Sequence, residues 1–213
     1  MALTFYYGSG SPYAWKVWLA LEHKGIPYEF RPLSFDGGDT KTPQFLAINP
    51  RGRVPTIVDD GYALWESSAI VEYLEERHPE KPLLPGDAKM RATARRIAAE
   101  ADAYLSPAIG RLFELTLYRK GPADAGQIAE AQKKILEELA LFESQVKGPH
   151  ILGPLSLADF ALFPHVRLLR RIEERQPGSG IADSRLPPKL GAWMKRIEAL
   201  PYYAKTIPPH WKG

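Results

Sequence analysis

The sequence contains no cysteine. Disulfides, zinc–thiolate centres, iron–sulfur clusters and a thiol nucleophile borne by the protein are therefore excluded. The same absence suits a reducing compartment, and a cytoplasmic location is the expectation. Long apolar runs are missing too: no stretch approaches the roughly 20 residues a membrane span needs, so no membrane partner is expected. The opening residues MALTFYYGSG lack a charged leader and a long apolar segment, and do not read as a signal peptide. The five histidines, at 23, 78, 150, 165 and 210, have no metal-ligand spacing, so no metal is expected. There is no HExxH and no P-loop. Gly8-Ser9-Gly10 begins like a dinucleotide fingerprint, but Tyr13 stands where the third glycine belongs. It also lacks the Gly-x-Ser-x-Gly spacing of a hydrolase elbow. No internal repeat or low-complexity tract is present.

What is present is an ordinary globular composition: 213 residues, 45% hydrophobic and 25% charged, enough for one or two packed domains. Charge is unevenly spread. Residues 1–80 carry 7 Lys/Arg against 11 Asp/Glu, and residues 81–213 carry 21 against 14. The change of sign near residue 80 marks a boundary between two compositional units. A sequence pI near 9 invites a nucleic-acid reading. The basic residues after 80 are scattered among apolar ones without a Lys/Arg block, so an anionic small ligand is the better expectation.

Leu3–Tyr7 reads as a buried strand ending at Gly8-Ser9-Gly10. Ser11-Pro12 follows as a helix start, with Ser at the N-cap and Pro at the first helical position. Ala14, Val17, Trp18 and Leu21 then recur as one face of an amphipathic helix, closed at Gly25. Tyr28 and Phe30 alternate in a second strand, which Pro32 confines to a sheet edge. Residues 34–50 are irregular, with a short helix near Lys41–Ala47. Val54–Val58 reads as a strand, Asp60-Gly61 as a hairpin turn and Tyr62–Leu64 as its partner. A helix runs from Ser67 until His78-Pro79 ends it.

KPLLPG at 81–86 is a linker, after which strand signals vanish. One long helix, Ala88–Tyr118, should be kinked by Pro107 and broken at Lys120-Gly121-Pro122. Further helices follow at Ala123–Val146, Ser156–Arg171 and around Leu190, Trp193, Met194 and Ile197. The segment Pro208–Trp211 is aperiodic. The expected domains are thus 1–80, a linker at 81–87, and an all-helical 88–213.

Ser11-Pro12-Tyr13, Asn49-Pro50-x-Gly52-x-Val54-Pro55, Glu66-Ser67-x-Ala69-Ile70 and Ser156-x-x-Asp159, in this order and at these spacings, resemble the glutathione S-transferase family. The resemblance covers nearly the whole chain. It implies an α/β thioredoxin-like N-terminal domain and an all-α C-terminal helical bundle. Glutathione is the implied co-substrate, and a homodimer the implied assembly.

By that resemblance Pro55 is cis, and Val54 offers its backbone to the peptide of glutathione as an added strand would. Ser67, at a helix start, takes the γ-glutamyl carboxylate, and Glu66 faces the ligand's ammonium. Either side chain could equally be a plain N-cap. Ser11 is the candidate catalytic residue. A hydroxyl at a helix N-terminus can donate to a thiolate and lower the thiol pKa, so the substrate supplies the thiol that the protein lacks. Tyr6 (or Tyr7) and Ser9 are alternatives. Lys41, beside Thr40 where some relatives carry His, and Arg53 are candidates for the glycyl carboxylate. Asp102 is a candidate to reach a partner subunit's glutathione. Tyr13, Leu105, Ile109, Leu112, Phe113 and Trp211 are candidate walls for a hydrophobic electrophile. The Ser156–Asp159 pair reads as a structural capping box. The implied reaction is attack of glutathione thiolate on a hydrophobic electrophile. A glutathione-dependent isomerase or dehalogenase, or a non-catalytic binding protein, are the alternatives.

Overall fold

A computed structural model describes residues 3–119, 121 and 124–211. The chain divides into two compact units. The first is 1–83 together with 201–213, and the second is 84–200. The segment after 200, grouped with the helical region on sequence grounds, therefore belongs with the first unit.

The first unit is built on a four-stranded mixed sheet in the order β2-β1-β3-β4. Strand β1 is Leu3–Gly8 and β2 is Tyr28–Leu33; they are parallel, with Phe5 opposite Phe30 and Tyr7 opposite Pro32. Pro32 thus lies on an edge strand, where its missing N–H costs no ladder bond. Strand β3 is Thr56–Asp59 and pairs antiparallel with both β1 and β4, Tyr62–Trp65. It starts two residues later than the sequence suggests, because the Val54–Pro55 pair stands outside the ladder and a proline cannot donate to it. Asp59 opposes Tyr62, so the hairpin loop is Asp60-Gly61, both with positive φ. That is the two-residue loop whose twist matches the strands.

Helix α1, Pro12–Lys24, joins β1 to β2; α2 is Pro43–Ile48 and α3 is Ser67–Arg77. A 3-10 turn at Asp39–Lys41 precedes α2. Thr42 caps α2 by accepting from the Phe45 N–H at 3.3 Å. Helix α1 is not amphipathic as expected: every residue from Ala14 to Leu21 is buried. One cover is α9, Tyr203–Thr206, whose Tyr203 stacks on Trp15 at 6.4 Å while Thr206 accepts from the Trp15 indole N–H at 3.1 Å. Local periodicity could not register this, since the partner lies 191 positions away. Lys24 joins α1 to α3 through a 2.7 Å ion pair with Glu75, both largely buried.

The second unit is helical: α4 Ala88–Glu100, α5 Ser106–Leu115, α6 Ala125–Gln145, α7 Leu157–Arg175 and α8 Pro188–Glu198. Among its described residues the only β pairing is an isolated bridge, His150 to Gly153. The expected helix Ala88–Tyr118 is instead two α-helices fused through a π-helical stretch, Ala101–Leu105, and it ends at Leu115. The Ser106 N–H reaches back to Ala101 C=O. In a regular helix the Pro107 ring would clash with the Ala103 carbonyl, and a wider turn immediately before Pro107 is the usual way a helix accommodates this. Of the expected break at 120–122, Lys120 and Pro122 lie outside the described residues, as does Ala123 at the start of the next expected helix.

Asp159 organises this unit. It is fully buried and accepts from the backbone N–H groups of Ser156 (2.8 Å) and Ile151 (2.9 Å), the Ser156 hydroxyl (2.9 Å) and the Trp193 indole (2.8 Å). Burial pushes its pKa up, and the Ile151 N–H, the Trp193 indole, His150 and the Ser156 hydroxyl act against that shift. Leu105, Ile109 and Leu112 are buried here as core residues.

Candidate active site

Strand β1 delivers the chain to a tight turn. The Ser11 N–H donates to Gly8 C=O at 3.1 Å, and Gly10 sits at φ +87°, a conformation that suits only glycine. The turn puts Ser11 at the N-cap of α1, where its hydroxyl oxygen accepts from the Ala14 N–H at 3.3 Å. Accepting that bond leaves the hydroxyl hydrogen available, and among the described residues nothing accepts it. Capping and donation to an incoming thiolate are therefore compatible in one residue.

The alternatives to Ser11 are placed differently. The Tyr7 side chain is fully buried against Trp18 and Phe30, and its hydroxyl makes no hydrogen bond of proper geometry. Burial raises its pKa, and the nearby Gly10 backbone and Ser9 hydroxyl offset this only in part. Tyr6 lies on the other face of β1, half-buried, with its ring 5.6 Å from Phe45 of α2. Ser9 is engaged by His210, 2.5 Å from its Oγ to the ring Nδ1.

Beside the turn stands Val54. A β-carbon on Gly8 would lie 2.7 Å from Val54 Cγ2 and 2.4 Å from the Phe35 ring, so Val54 packs directly on the end of β1. The Val54–Pro55 bond is cis. The Val54 N–H and C=O have no hydrogen-bond partner among the described residues and lie half-exposed, so a peptide can pair with them. Asn49 holds this loop from beneath. Fully buried, it donates to Arg53 C=O and Thr56 Oγ1, each at 2.9 Å, and accepts from the Arg51 N–H at 3.0 Å. The Asn49-Pro50-x-Gly52 pattern pointed to the segment without revealing that Asn49 is its anchor.

Lys41 and Arg53 meet at the same loop. Lys41 Nζ lies 3.2 Å from where a Gly52 β-carbon would be, next to exposed Arg53, so two cations flank the Val54 strand position. Glu66 sits at the N-cap of α3 with φ 69°, rare for a residue with a side chain, and its side chain does not cap the helix. Ser67 is the first helical residue, not the cap. The plain N-cap reading thus fails for both. The first N–H groups of a helix have no partner within the helix, and the exposed Glu66 stands at this helix start, a combination that suits a zwitterion with one carboxylate and one ammonium.

Lys16 was not anticipated. It is 1% exposed, places its ammonium under the Tyr13 ring at 5.8 Å, and donates to Ser68 Oγ at 3.2 Å, adjacent to Ser67. A buried cation here adds to the positive field at the start of α3. No sequence signal distinguishes it from a solvated lysine.

Asp102, in the π-helical stretch, faces buried His165 of its own unit, with Oδ1 3.6 Å from Nε2. Phe113 packs on Tyr118 at 5.0 Å within the second unit. Trp211 is in the first unit, edge-on to Trp15 at 5.3 Å. Among the described residues there is no cluster of three metal-ligating side chains, and no helix is long and apolar enough to cross a membrane.

A thioredoxin-like unit carrying this serine turn, cis-proline loop and open helix start, followed by an all-helical unit, defines the class of protein. Residues 5–82 match the pattern described as glutathione S-transferase, N-terminal domain, and residues 125–196 match glutathione S-transferase, C-terminal domain. Maleylacetoacetate isomerase of Pseudomonas aeruginosa is 41% identical over 133 residues, 61% of each chain, so this chain spans about three fifths of that relative. Glutathione S-transferase 1 of Dianthus caryophyllus is 32% identical over 77% of this chain and 76% of its own. A crystal structure of a glutathione S-transferase from the Antarctic clam Laternula elliptica superposes with a TM-score of 0.85 at 32% identity, covering 100% of this chain and 94% of the other. The chain belongs to the glutathione S-transferase family.

Proposed function

We propose that this protein binds glutathione on its first unit and activates the thiol for attack on a hydrophobic electrophile. The observation that carries the reading is Ser11: a helix N-cap whose oxygen is satisfied by Ala14 and whose hydroxyl hydrogen is uncommitted. The peptide of glutathione pairs with the Val54 backbone. Its γ-glutamyl end meets the start of α3 and Glu66, and Lys41 and Arg53 supply cations for the glycyl carboxylate. Ser11 donates to the sulfur, and the α1 dipole adds to the stabilisation of the thiolate. The thiol proton leaves to solvent, and the sulfur lone pair forms the new bond to carbon; with a halogenated substrate the carbon–halogen bond breaks and halide departs with its electron pair, and with an activated double bond the π pair moves to the neighbouring carbon, which takes up a proton from solvent. Tyr13 is retained as a wall for the electrophile.

A second reading uses the same thiolate as an isomerase does, and the Pseudomonas aeruginosa relative's name favours it. The sulfur adds to one carbon of a double bond, the resulting single bond rotates, and the sulfur is expelled. Glutathione is then regenerated and not consumed. Incubation with glutathione and a panel of halogenated aromatic, alkyl halide and cis-enone acid substrates separates the two. A stable conjugate marks a transferase, and a trans product with full recovery of glutathione marks an isomerase. Retention on immobilised glutathione with no turnover of any substrate would leave only a binding protein.

The assembly proposed is a homodimer. The exposed α4 side chains Arg91 and Arg95 lie among alanines and suit a close, polar helix contact. Light scattering giving about 24 kDa at micromolar concentration overturns it.

A further inference from the structure

The segment after residue 200 does more than cover α1. It runs along that helix through a series of specific contacts. Tyr202 Oη meets His23 Nδ1 at 3.0 Å, Lys205 pairs with Glu22 at 2.6 Å, and Trp15 is held by Thr206 and Tyr203. A final 3-10 turn, Pro209–Trp211, then brings His210 onto the serine turn itself. Its Nδ1 is 2.5 Å from Ser9 Oγ, and its Cε1 would be 3.1 Å from any β-carbon on Gly10. Ser9 and Gly10 are the two central residues of the turn that places Ser11.

The protonation state of this ring follows from its other neighbour. The Trp211 indole Nε1 lies 2.9 Å from His210 Nε2. An indole N–H can only donate, so Nε2 accepts and the proton of the neutral ring is on Nδ1. His210 therefore donates to Ser9, and does so without placing a charge beside the site. Trp211 is fixed in turn by its edge-on contact with Trp15 at 5.3 Å and by its own N–H to Pro208 C=O at 2.8 Å.

A turn of four residues with a glycine at its third position, closed by the single backbone bond from Ser11 N–H to Gly8 C=O, has little else of its own to resist rearrangement. Donation to a thiolate, however, falls steeply with misalignment, so Ser11 needs a fixed backbone. We propose that His210 is a positioning residue for thiol activation: bound to Ser9 and lying over Gly10, it holds the Gly8–Ser11 turn in the conformation from which Ser11 donates to the glutathione sulfur. The inference rests on Ser11 as the thiolate donor. It assigns a role in the chemistry to a residue 199 positions downstream that would not touch substrate.

The test titrates the ultraviolet absorbance of the thiolate of bound glutathione in the full-length protein. Wild type, Ser11→Ala, His210→Ala, His210→Asn and His210→Gln are compared, with circular dichroism confirming each fold. In His210→Ala the thiol pKa should rise by about half a unit to one unit, which is about three- to tenfold less thiolate at a pH below the pKa. Turnover should fall by the same factor while KM for glutathione stays within about twofold, since the peptide contacts are untouched. His210→Asn places an amide N–H where Nδ1 was and should restore the wild-type value, whereas His210→Gln should not. Ser9→Ala combined with His210→Ala should add nothing to either alone. An unshifted pKa in His210→Ala, beside a shifted one in Ser11→Ala, overturns the role of His210 alone. Failure of Asn to restore the value does the same. If Ser11→Ala leaves the pKa unmoved, the assignment of Ser11 falls first and that of His210 with it. Should His210→Ala fail to fold, the Asn and Gln pair decides.

Discussion

Asp159 and Trp193 are joined by a buried hydrogen bond of 2.8 Å from the indole N–H to the carboxylate, between two helices 34 residues apart. The same carboxylate closes the start of α7 on Ser156 and pulls in the loop at Ile151. One acidic side chain thus fixes three segments of the helical unit. In Asp159→Asn an amide N–H would face groups that are themselves donors, leaving buried donors unpaired. Urea unfolding should show a loss of about 3 kcal/mol, more than an exposed cap is worth. A loss below about 1 kcal/mol would reduce the residue to an ordinary helix cap.

Ser11→Ala separates capping from chemistry. Loss of the cap lowers stability by about 1 kcal/mol. Loss of a charge-assisted donor, worth about 1.5–3 kcal/mol, raises the pKa of bound glutathione thiol by about one unit or more. Glutathione affinity should barely change. An unchanged thiol pKa here, with a shifted one in Tyr6→Phe, transfers the donor role to Tyr6.

Lys41→Ala should behave in the opposite way. A cation on a carboxylate remote from the sulfur contributes equally to ground and transition states. KM for glutathione should rise by about five- to tenfold, for a charge-assisted contact at the site edge, with kcat preserved. A fall in kcat at unchanged KM would remove Lys41 from the glycyl end.

His23 gives the first unit a pH dependence of calculable sign. Burial, then the ammonium groups of Lys24 and Lys81, lower its pKa from 6.5 to about 4. The unfolded chain therefore binds a proton between pH 6.5 and 4 that the folded chain refuses. The stability this provides is complete above pH 6.5 and is lost as pH falls towards 4. His23→Gln has no such titration. The stability difference between wild type and variant should shrink by about 1–2 kcal/mol from pH 7 to 4.5, allowing for solvent screening of a half-buried ring. A difference that is flat with pH would show that His23 protonates freely in the folded state.

Elements with local chemical signatures were legible in the sequence. Ser11-Pro12 gave the start of α1, Asp60-Gly61 gave the hairpin, and Ser156 with Asp159 gave the start of α7, each written in residues a few positions apart. Features set by distant partners were not. Apolar spacing identified Leu105, Ile109 and Leu112 as one helix face, but whether that face meets a ligand or other side chains depends on what packs upon it. Pro107 announced a disturbance, which the backbone takes up in a π-helical turn that apolar spacing alone did not show. Lys16 and His210 carry no pattern around them, and their positions follow only from the folded chain.

The first unit is discontinuous: its chain departs at residue 83 and returns at 201. During synthesis, the strands and serine turn leave the ribosome first, while the residues that cover Trp15 and reach Ser9 follow only after the whole helical unit has been made. A nascent chain halted inside the helical unit would already possess Ser11, Val54 and Glu66, yet lack the clamp on the turn that holds Ser11. On the roles proposed for these residues, a ribosome-bound fragment would present the glutathione-binding residues before the turn carrying Ser11 is clamped, and thiol activation would arrive last.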